Sequence, residues 1–298
     1  MKVKLSRKYI LRFKKMAFGG EPDGETLAIE SYYDENGNLT EEIKTDEEEG
    51  LNEKNIFEYD KDGRIIKHVM QLLNDEVEET MIYERDEKGR VVCETKLYGD
   101  DPGERIVNSY QEHESPVHIE RYDADGEPES TEDLTFNAAG FPITHKRMDP
   151  AGKVMERSEV SYNENNKPVE RNVYDVNDKL IKNIILRYNE KGLLSRVTEK
   201  NGEGKVTSDI TTSYDERDNI IERRVRDYHS RTLRFTFDDR DNCIVEEMLD
   251  ENGNLTMKSE FEFDENNLLI SETGFYTDMN RSTSMANTHS RYEYEFYS

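Results

Sequence analysis

Apolar and polar residues alternate with a period of two along most of this chain, as in Leu134-Thr135-Phe136, Val160-Ser161-Tyr162, Leu186-Arg187-Tyr188, Phe235-Thr236-Phe237 and Phe261-Glu262-Phe263. That period puts the apolar members on one face of an extended strand and the polar members on the other. Thr, Val, Ile, Tyr and Phe dominate these stretches, as half-buried pleated surfaces prefer. Between the stretches runs a recurring phrase: an aromatic, an Asp or Asn, two variable residues, then Gly, Asn or Asp. It reads Tyr33-Asp34-Glu35-Asn36-Gly37, Tyr59-Asp60-Lys61-Asp62-Gly63 and Phe263-Asp264-Glu265-Asn266-Asn267. The Asp or Asn can accept from the backbone N–H two residues on, and the closing Gly or Asn tolerates positive φ, so the phrase predicts a tight hairpin turn. Pro128, Pro142 and Pro168 fall just after such turns, where a missing N–H costs least.

The spacing defines the unit. From Tyr122 the anchors fall at Phe136, Met148, Tyr162, Tyr174, Tyr188, Lys200 and Tyr214, in steps that alternate 14 and 12 and make a 26-residue repeat. The same 26 residues separate Tyr33 from Tyr59 and Tyr59 from Arg85. After Tyr214 the step is 23, to Phe237, and then Leu249 and Phe263 restore 12 and 14. Two phrases are eroded, Tyr98 to Gly103 and Tyr110 to Ser115. A fixed period means that one supersecondary unit is copied along the chain and each copy covers its neighbour. Removing a four-residue turn from each step leaves about eight residues, one strand of roughly 26 Å. The expected fold is all-β: an elongated, twisted and curved antiparallel β-meander of about ten double-strand repeats, forming an open or spiralled strip of roughly 20 strands and near 95 Å long. Residues 1–22 read as a basic N-terminal capping segment and residues 23–298 as a single repeat domain.

The phrase Tyr-Asp/Asn-x-x-Gly-x-Leu/Ile/Val, at Tyr33 to Leu39, Tyr59 to Ile65 and, with Asn189 in place of Asp, Tyr188 to Leu194, resembles the YD repeat of the rearrangement-hotspot (RHS) and teneurin shells. The resemblance covers most of residues 30–277. Copies such as Tyr162 to Asn166, Tyr174 to Asp178 and Tyr214 to Asp218 replace the glycine. The resemblance implies a β-strip that spirals around a cavity, and it allows carbohydrate binding or an association with toxins.

Charge changes the picture next. With 33% hydrophobic and 36% charged residues the chain cannot fill a thick core, while 28 Phe and Tyr in period-2 positions speak against disorder. The net charge is −26, and because the first twenty residues contribute +7, the repeat array itself carries −33. Such a field repels nucleic acid and anionic membrane and speeds encounter with a basic surface. Acidic turns also keep a repeat protein soluble and protect its edges. As a binding face for a basic protein, the first candidates are Asp46, Glu47, Glu48 and Glu49, then Asp75, Glu76, Glu78 and Glu79, with Asp238, Asp239 and Asp241 behind them. The basic start, Lys2 to Lys15, is read as docking on the acidic array and capping its first edge, with an anionic membrane or nucleic acid as the competing surface. Cys93 and Cys243 lie 150 residues apart and read as reduced thiols, which suits the cytoplasm. No apolar run of signal-peptide or membrane-spanning length is present in this sequence.

Catalytic patterns are weak. His113-Glu114-Ser115-Pro116-Val117-His118 has the outline of a zinc-protease helix, but its histidines are five apart and a proline interrupts. Gly202-Glu203-Gly204-Lys205 lacks the glycine spacing and the hydroxyl of a phosphate loop. Asp60-Lys61-Asp62-Gly63 lacks the later ligands of a calcium loop. His68, His145, His229 and His289 fall singly on different repeats. The 67 acids make any pair of carboxylates uninformative for a glycosidase, and no Trp supplies a sugar platform. No cofactor or metal is expected. The expected function is that of a non-enzymatic acidic interaction protein that binds a basic protein, with neutralisation of a cationic bacterial toxin as its specific form. The alternative is a carbohydrate-binding or cell-surface repeat module.

Overall fold

The computed structural model describes residues 2–13, 22–46, 51–72, 76–112, 114–277 and 285–298. All secondary structure is β. The first strands are β1 (Val3–Phe13), β2 (Pro22–Tyr33), β3 (Leu39–Asp46), β4 (Leu51–Tyr59), β5 (Ile65–Leu72), β6 (Val77–Arg85), β7 (Val91–Tyr98) and β8 (Asp101–Ser109). Then come β9 (His118–Tyr122), β10 (Pro128–Phe136), β11 (Pro142–Met148), β12 (Val154–Tyr162), β13 (Pro168–Tyr174), β14 (Leu180–Tyr188), β15 (Leu194–Asn201) and β16 (Val206–Tyr214). The last are β17 (Ile220–Arg226), β18 (Arg231–Phe237), β19 (Cys243–Leu249), β20 (Leu255–Phe263), β21 (Leu269–Thr277) and β22 (Met285–Phe296).

Each phrase builds the same turn. Asp60 N–H donates to the Arg64 carbonyl at 2.9 Å and Gly63 N–H to the Asp60 carbonyl at 3.1 Å. The Asp60 carboxylate accepts from the N–H groups of Asp62 and Arg64, both at 2.9 Å. This is a type I turn followed by one left-handed residue, the three-residue hairpin loop. Gly63 takes that residue at φ 77°, and where glycine is missing Asn166, Asp178, Asp218, Asp241 and Asn267 adopt φ between 56° and 70°. Asn and Asp tolerate this region better than other side chains, which explains how the phrase drifts without losing the turn.

The turn carboxylates give the fold an acid sensitivity. A backbone N–H from Arg64 holds the Asp60 carboxyl below its ordinary range, and the side chain and N–H of Asn38 do the same for Asp34. Asp175 and Asp264 are lowered first by the N–H groups of Lys179 and Leu268. A lowered carboxyl stabilises the native state above the unfolded value and loses that contribution as pH falls through the folded value. The thermal midpoint should therefore hold from pH 7 to 5 and fall below about pH 4. Relief of self-repulsion acts in the opposite sense, so a midpoint that climbs steadily down to pH 3 would show that the turns do not carry this stability.

The expected open or spiralled strip is corrected by the ends of the chain. All twenty-two strands belong to one antiparallel sheet, and β22 pairs with β1 from Val3↔Phe296 to Leu11↔His289, while β1 also pairs with β2. The sheet therefore closes, with a barrel-type strand order. The physical reason lies in two features that a period does not reveal. Register shifts fall at the anchor residue of hairpin after hairpin, as at Glu58/Tyr59, Thr135/Phe136, Ser161/Tyr162, Ser213/Tyr214 and Glu262/Phe263. Each such bulge adds local twist and bend, and the additions accumulate over the repeats. The closing strand is also basic where its neighbours are acidic: Arg7 reaches Glu30 and Glu295 at 2.9 and 2.7 Å, and Lys8 reaches Glu272 at 3.2 Å.

By contacts the chain forms two compact units, one of residues 1–51, 187–197 and 207–298, the other of residues 52–186 and 198–206. In both, one sheet face carries the aromatic anchors and the other the alternating polar residues. Apolar burial is thin: Leu5, Ala28, Val69, Val173 and Val225 are the buried hydrophobics among the described residues. Small polar residues occupy mid-strand positions of the aromatic face, with Ser130 at 1% and Ser158 at 3% exposure. The anchors do more than pack. The Tyr162 hydroxyl donates to the Pro142 carbonyl at 2.7 Å and the Tyr214 hydroxyl to the Leu194 carbonyl at 2.8 Å, so each pins its hairpin to the one before it. At the degenerate anchor, Arg85 takes over with a guanidinium bond to the Ile65 carbonyl at 3.0 Å.

Candidate interaction surfaces

The acidic candidates scatter over different elements. Asp46 ends β3, and Glu47, Glu48, Glu49 and Asp75 lie outside the described residues. Glu76 and Glu78 are exposed on the β5–β6 hairpin, whereas Glu79 is half-buried and its carboxylate takes Lys96 Nζ at 2.7 Å. Asp238, Asp239 and Asp241 share the turn between β18 and β19. Asp238 spends its carboxylate on the N–H groups of Arg240 and Asn242, both at 2.9 Å. Asp241 holds the left-handed position and pairs with Arg217 at 2.9 Å, while Asp239 leaves its carboxylate exposed.

Neighbouring turns in the first unit are stitched together. Lys191 donates to the Glu216 carbonyl at 3.0 Å and to Asp218 at 2.7 Å. Arg217 donates to the carbonyls of Asp238 and Asp239 at 2.6 and 3.1 Å, and Arg240 to those of Asp264 and Glu265 at 3.0 and 3.2 Å. The cations are thus drawn along the row, and Glu190, Glu216, Asp239 and Glu265, at equivalent turn positions, stay exposed. Their carboxylates form no ion pair among the described residues. Every second strand contributes one such turn, so the row has a spacing of about 10 Å. Sequence reading picked out Asp239 alone of these four; the repeat register held the signal for the others.

The aromatic face of the same unit carries a groove of about 730 Å³. Phe235, Phe237, Phe261 and Phe263 wall it, with Cys243 and Leu269 between them and Asp218, Arg223 and Glu246 as its charged members. The volume and apolar lining suit a small molecule or an inserted side chain. Burial, and then Glu246, push the Cys243 thiol up, which keeps it protonated and a poor nucleophile. Cys93 and Cys243 are both free thiols. The histidines serve neighbours: His118 bonds Asp133 at 2.6 Å, His145 bonds Glu132 at 2.8 Å, and His68 bonds Asn55 at 2.7 Å. No group of three or more metal-ligating side chains gathers among the described residues.

No family model and no curated protein matches the chain. Among solved structures, it is similar to a chain of the Photorhabdus luminescens Tc holotoxin pore carrying the TccC3 D651A substitution, at 12% identity and a TM-score of 0.47, over 96% of this chain and 18% of that one. A TcdB2–TccC3 chain gives 15% identity and 0.46 over 97% and 18%. A porin-like protein from Bacteroides uniformis gives 11% and 0.34 over 98% and 96%. This chain spans less than a fifth of the length of the first two. Likenesses of this size place it in no family.

Proposed function

We propose that this chain is a degenerate YD-type repeat protein of the cytoplasm that works without catalysis, presenting an acidic surface to a basic protein. In its specific form it neutralises a cationic bacterial toxin, as an immunity protein. The row Glu190, Glu216, Asp239 and Glu265 carries the reading: these carboxylates are periodic and exposed, and they stand on turns held rigid by their neighbours. Preorganised charge of one sign raises the encounter rate with a basic partner and selects against anionic ones. Lipid is a poor partner. Lys8 and Glu272 interrupt the aromatic face and Arg224 and Glu247 the opposite one, so neither face offers the apolar band of a membrane barrel.

A pull-down from the native host at low and then high salt should recover a basic protein that salt releases. Reversing the four carboxylates to lysine should weaken its binding at least tenfold, roughly 1.4 kcal/mol or more, without changing the free energy of unfolding by more than a few tenths of a kcal/mol. Recovery of no basic protein, or unchanged binding by the reversed variant, would sink the proposal. The Phe-walled groove favours a second reading, a carbohydrate or other ligand with an apolar face. Glycan binding that survives high salt and is lost in Phe261→Ala would select it.

A further inference from the structure

The β17–β18 hairpin departs from its neighbours. Its anchors, Tyr214 and Phe237, are 23 residues apart, its turn lacks the repeated phrase, and Arg223, Arg224, Arg226, Arg231 and Arg234 crowd into it although the chain carries −26. Pairing of Glu222 with Arg234 and of Arg224 with Thr232 sets Glu222, Arg224, Arg226, Thr232 and Arg234 on the face opposite the Phe groove. Glu222 organises this face. Its carboxylate accepts from Arg224 Nε at 2.7 Å and from Arg234 Nε at 3.1 Å, and its side chain is only 19% exposed. Burial opposes its charge, yet the bonds from Arg234 and Arg224 hold its carboxyl below the ordinary range.

Because only the Nε groups are engaged, both guanidinium planes are oriented while their Nη groups make no hydrogen bond among the described residues. Arg226 faces Asp209 across the strands, but both oxygens of Asp209 accept from Arg196, at 2.7 and 2.9 Å, and Arg226 has no ion pair among the described residues. Arg231 completes the set, held by Asp227 at 3.3 Å. A cleft of about 440 Å³ opens here, lined by Arg224, Arg226, Ser230, Arg231, Thr232 and Arg234. Asp250 and Glu251 also line it, and Asp250 spends its carboxylate on the N–H groups of Asn252 and Asn254 at 2.9 and 2.8 Å.

We propose that this cleft binds a compact phosphate dianion, free or as a phosphomonoester. Oriented guanidinium forks with unspent N–H donors, joined by two hydroxyls, match an anion with several oxygens better than a single carboxylate. A compact anion fits and a long polyanion does not. Beyond about 8 Å at physiological salt the chain's negative charge is screened, so a small ligand meets four arginines against the two lining carboxylates, Asp250 and Glu251, whereas a polymer would run along the acidic surface.

Calorimetric titration of the full chain at constant ionic strength, with inorganic phosphate in one arm and phenyl phosphate in the other, tests this. Saturable one-to-one binding is expected, weakened at least tenfold in the double variant Arg224→Gln/Arg226→Gln. Tighter binding of phenyl phosphate assigns a phosphomonoester, and tighter binding of inorganic phosphate assigns the free ion. Glu222→Gln should also weaken binding although it makes the patch more positive, since it removes the group that orients two guanidinium planes. Absence of saturation, equal affinity in a double variant with the wild-type unfolding midpoint, or tighter binding by Glu222→Gln would overturn the site. The cleft and the acidic turn row bind ligands of opposite charge, so either proposal can fail without the other.

Discussion

Replacing Tyr214 with alanine is expected to lower the stability of the protein by about 3 kcal/mol, read from the midpoint of urea unfolding. The ring is half-buried on the aromatic face, so its removal takes less than the full transfer and cavity cost of a core aromatic, roughly 2 kcal/mol. Loss of the hydroxyl bond to the Leu194 carbonyl adds about 1 kcal/mol. Tyr214→Phe separates the two effects and should cost only the second. Phenylalanine stands at the equivalent anchors Phe136, Phe237 and Phe263, so the ring without its hydroxyl is compatible with the turn. A loss below about 0.5 kcal/mol for the alanine variant would mean that the anchor column does not hold the hairpins together.

A second large effect is expected at Gly202, in the turn that joins β15 to β16. A Cβ built there would stand 2.1 Å from the Leu180 carbonyl oxygen and 3.1 Å from its carbon. Those are backbone atoms and cannot swing aside, so Gly202→Ala must displace the turn or the start of β14, at a cost of about 2 to 3 kcal/mol. Gly204, two residues on, is the control. It lies at φ 81° with open space around it, and alanine there should cost only about 1 kcal/mol of backbone strain. Gly204→Asn should be nearly neutral, because Asn166 and Asn267 hold the same turn position at φ 56° and 64°. If Gly202→Ala unfolds at the wild-type urea concentration, the close approach is not a constraint on this fold.

Local chemistry in the sequence foretold local structure. The Asp and Gly of each phrase announced the turn, and the Leu-Thr-Phe or Phe-Glu-Phe alternation announced which residues share a face. Closure was not foretold, because it depends on a small bend at each bulge summed over the whole array, and a bulge leaves no mark on the 12 and 14 steps. The basic first strand held a partial sign, since Arg7 and Lys8 find their carboxylates at both ends of the chain. The tie made by the anchor hydroxyl was hidden as well. It became visible only when Arg85, an outlier in the pattern, proved to reach the carbonyl of Ile65 just as Tyr162 reaches that of Pro142. For the acidic surface, runs such as Asp46 to Glu49 drew attention through adjacency in sequence, whereas the exposed row Glu190, Glu216, Asp239 and Glu265 is assembled by register. The shortened step after Tyr214 marked the arginine hairpin, but only the pairing of Glu222 with Arg224 and Arg234 gave it a chemical sense.

The pairing of β22 with β1 has a consequence for the order in which the sheet assembles. Tyr297 donates its N–H to the Lys2 carbonyl at 3.0 Å, and its hydroxyl reaches the carbonyl of Tyr33. Strands far apart in sequence therefore share one seam, and forming it requires closing a loop of nearly the whole array, so the β1–β22 pairing should be the last of the hairpin contacts to form and a substitution at Tyr297 is felt at Lys2 and Tyr33.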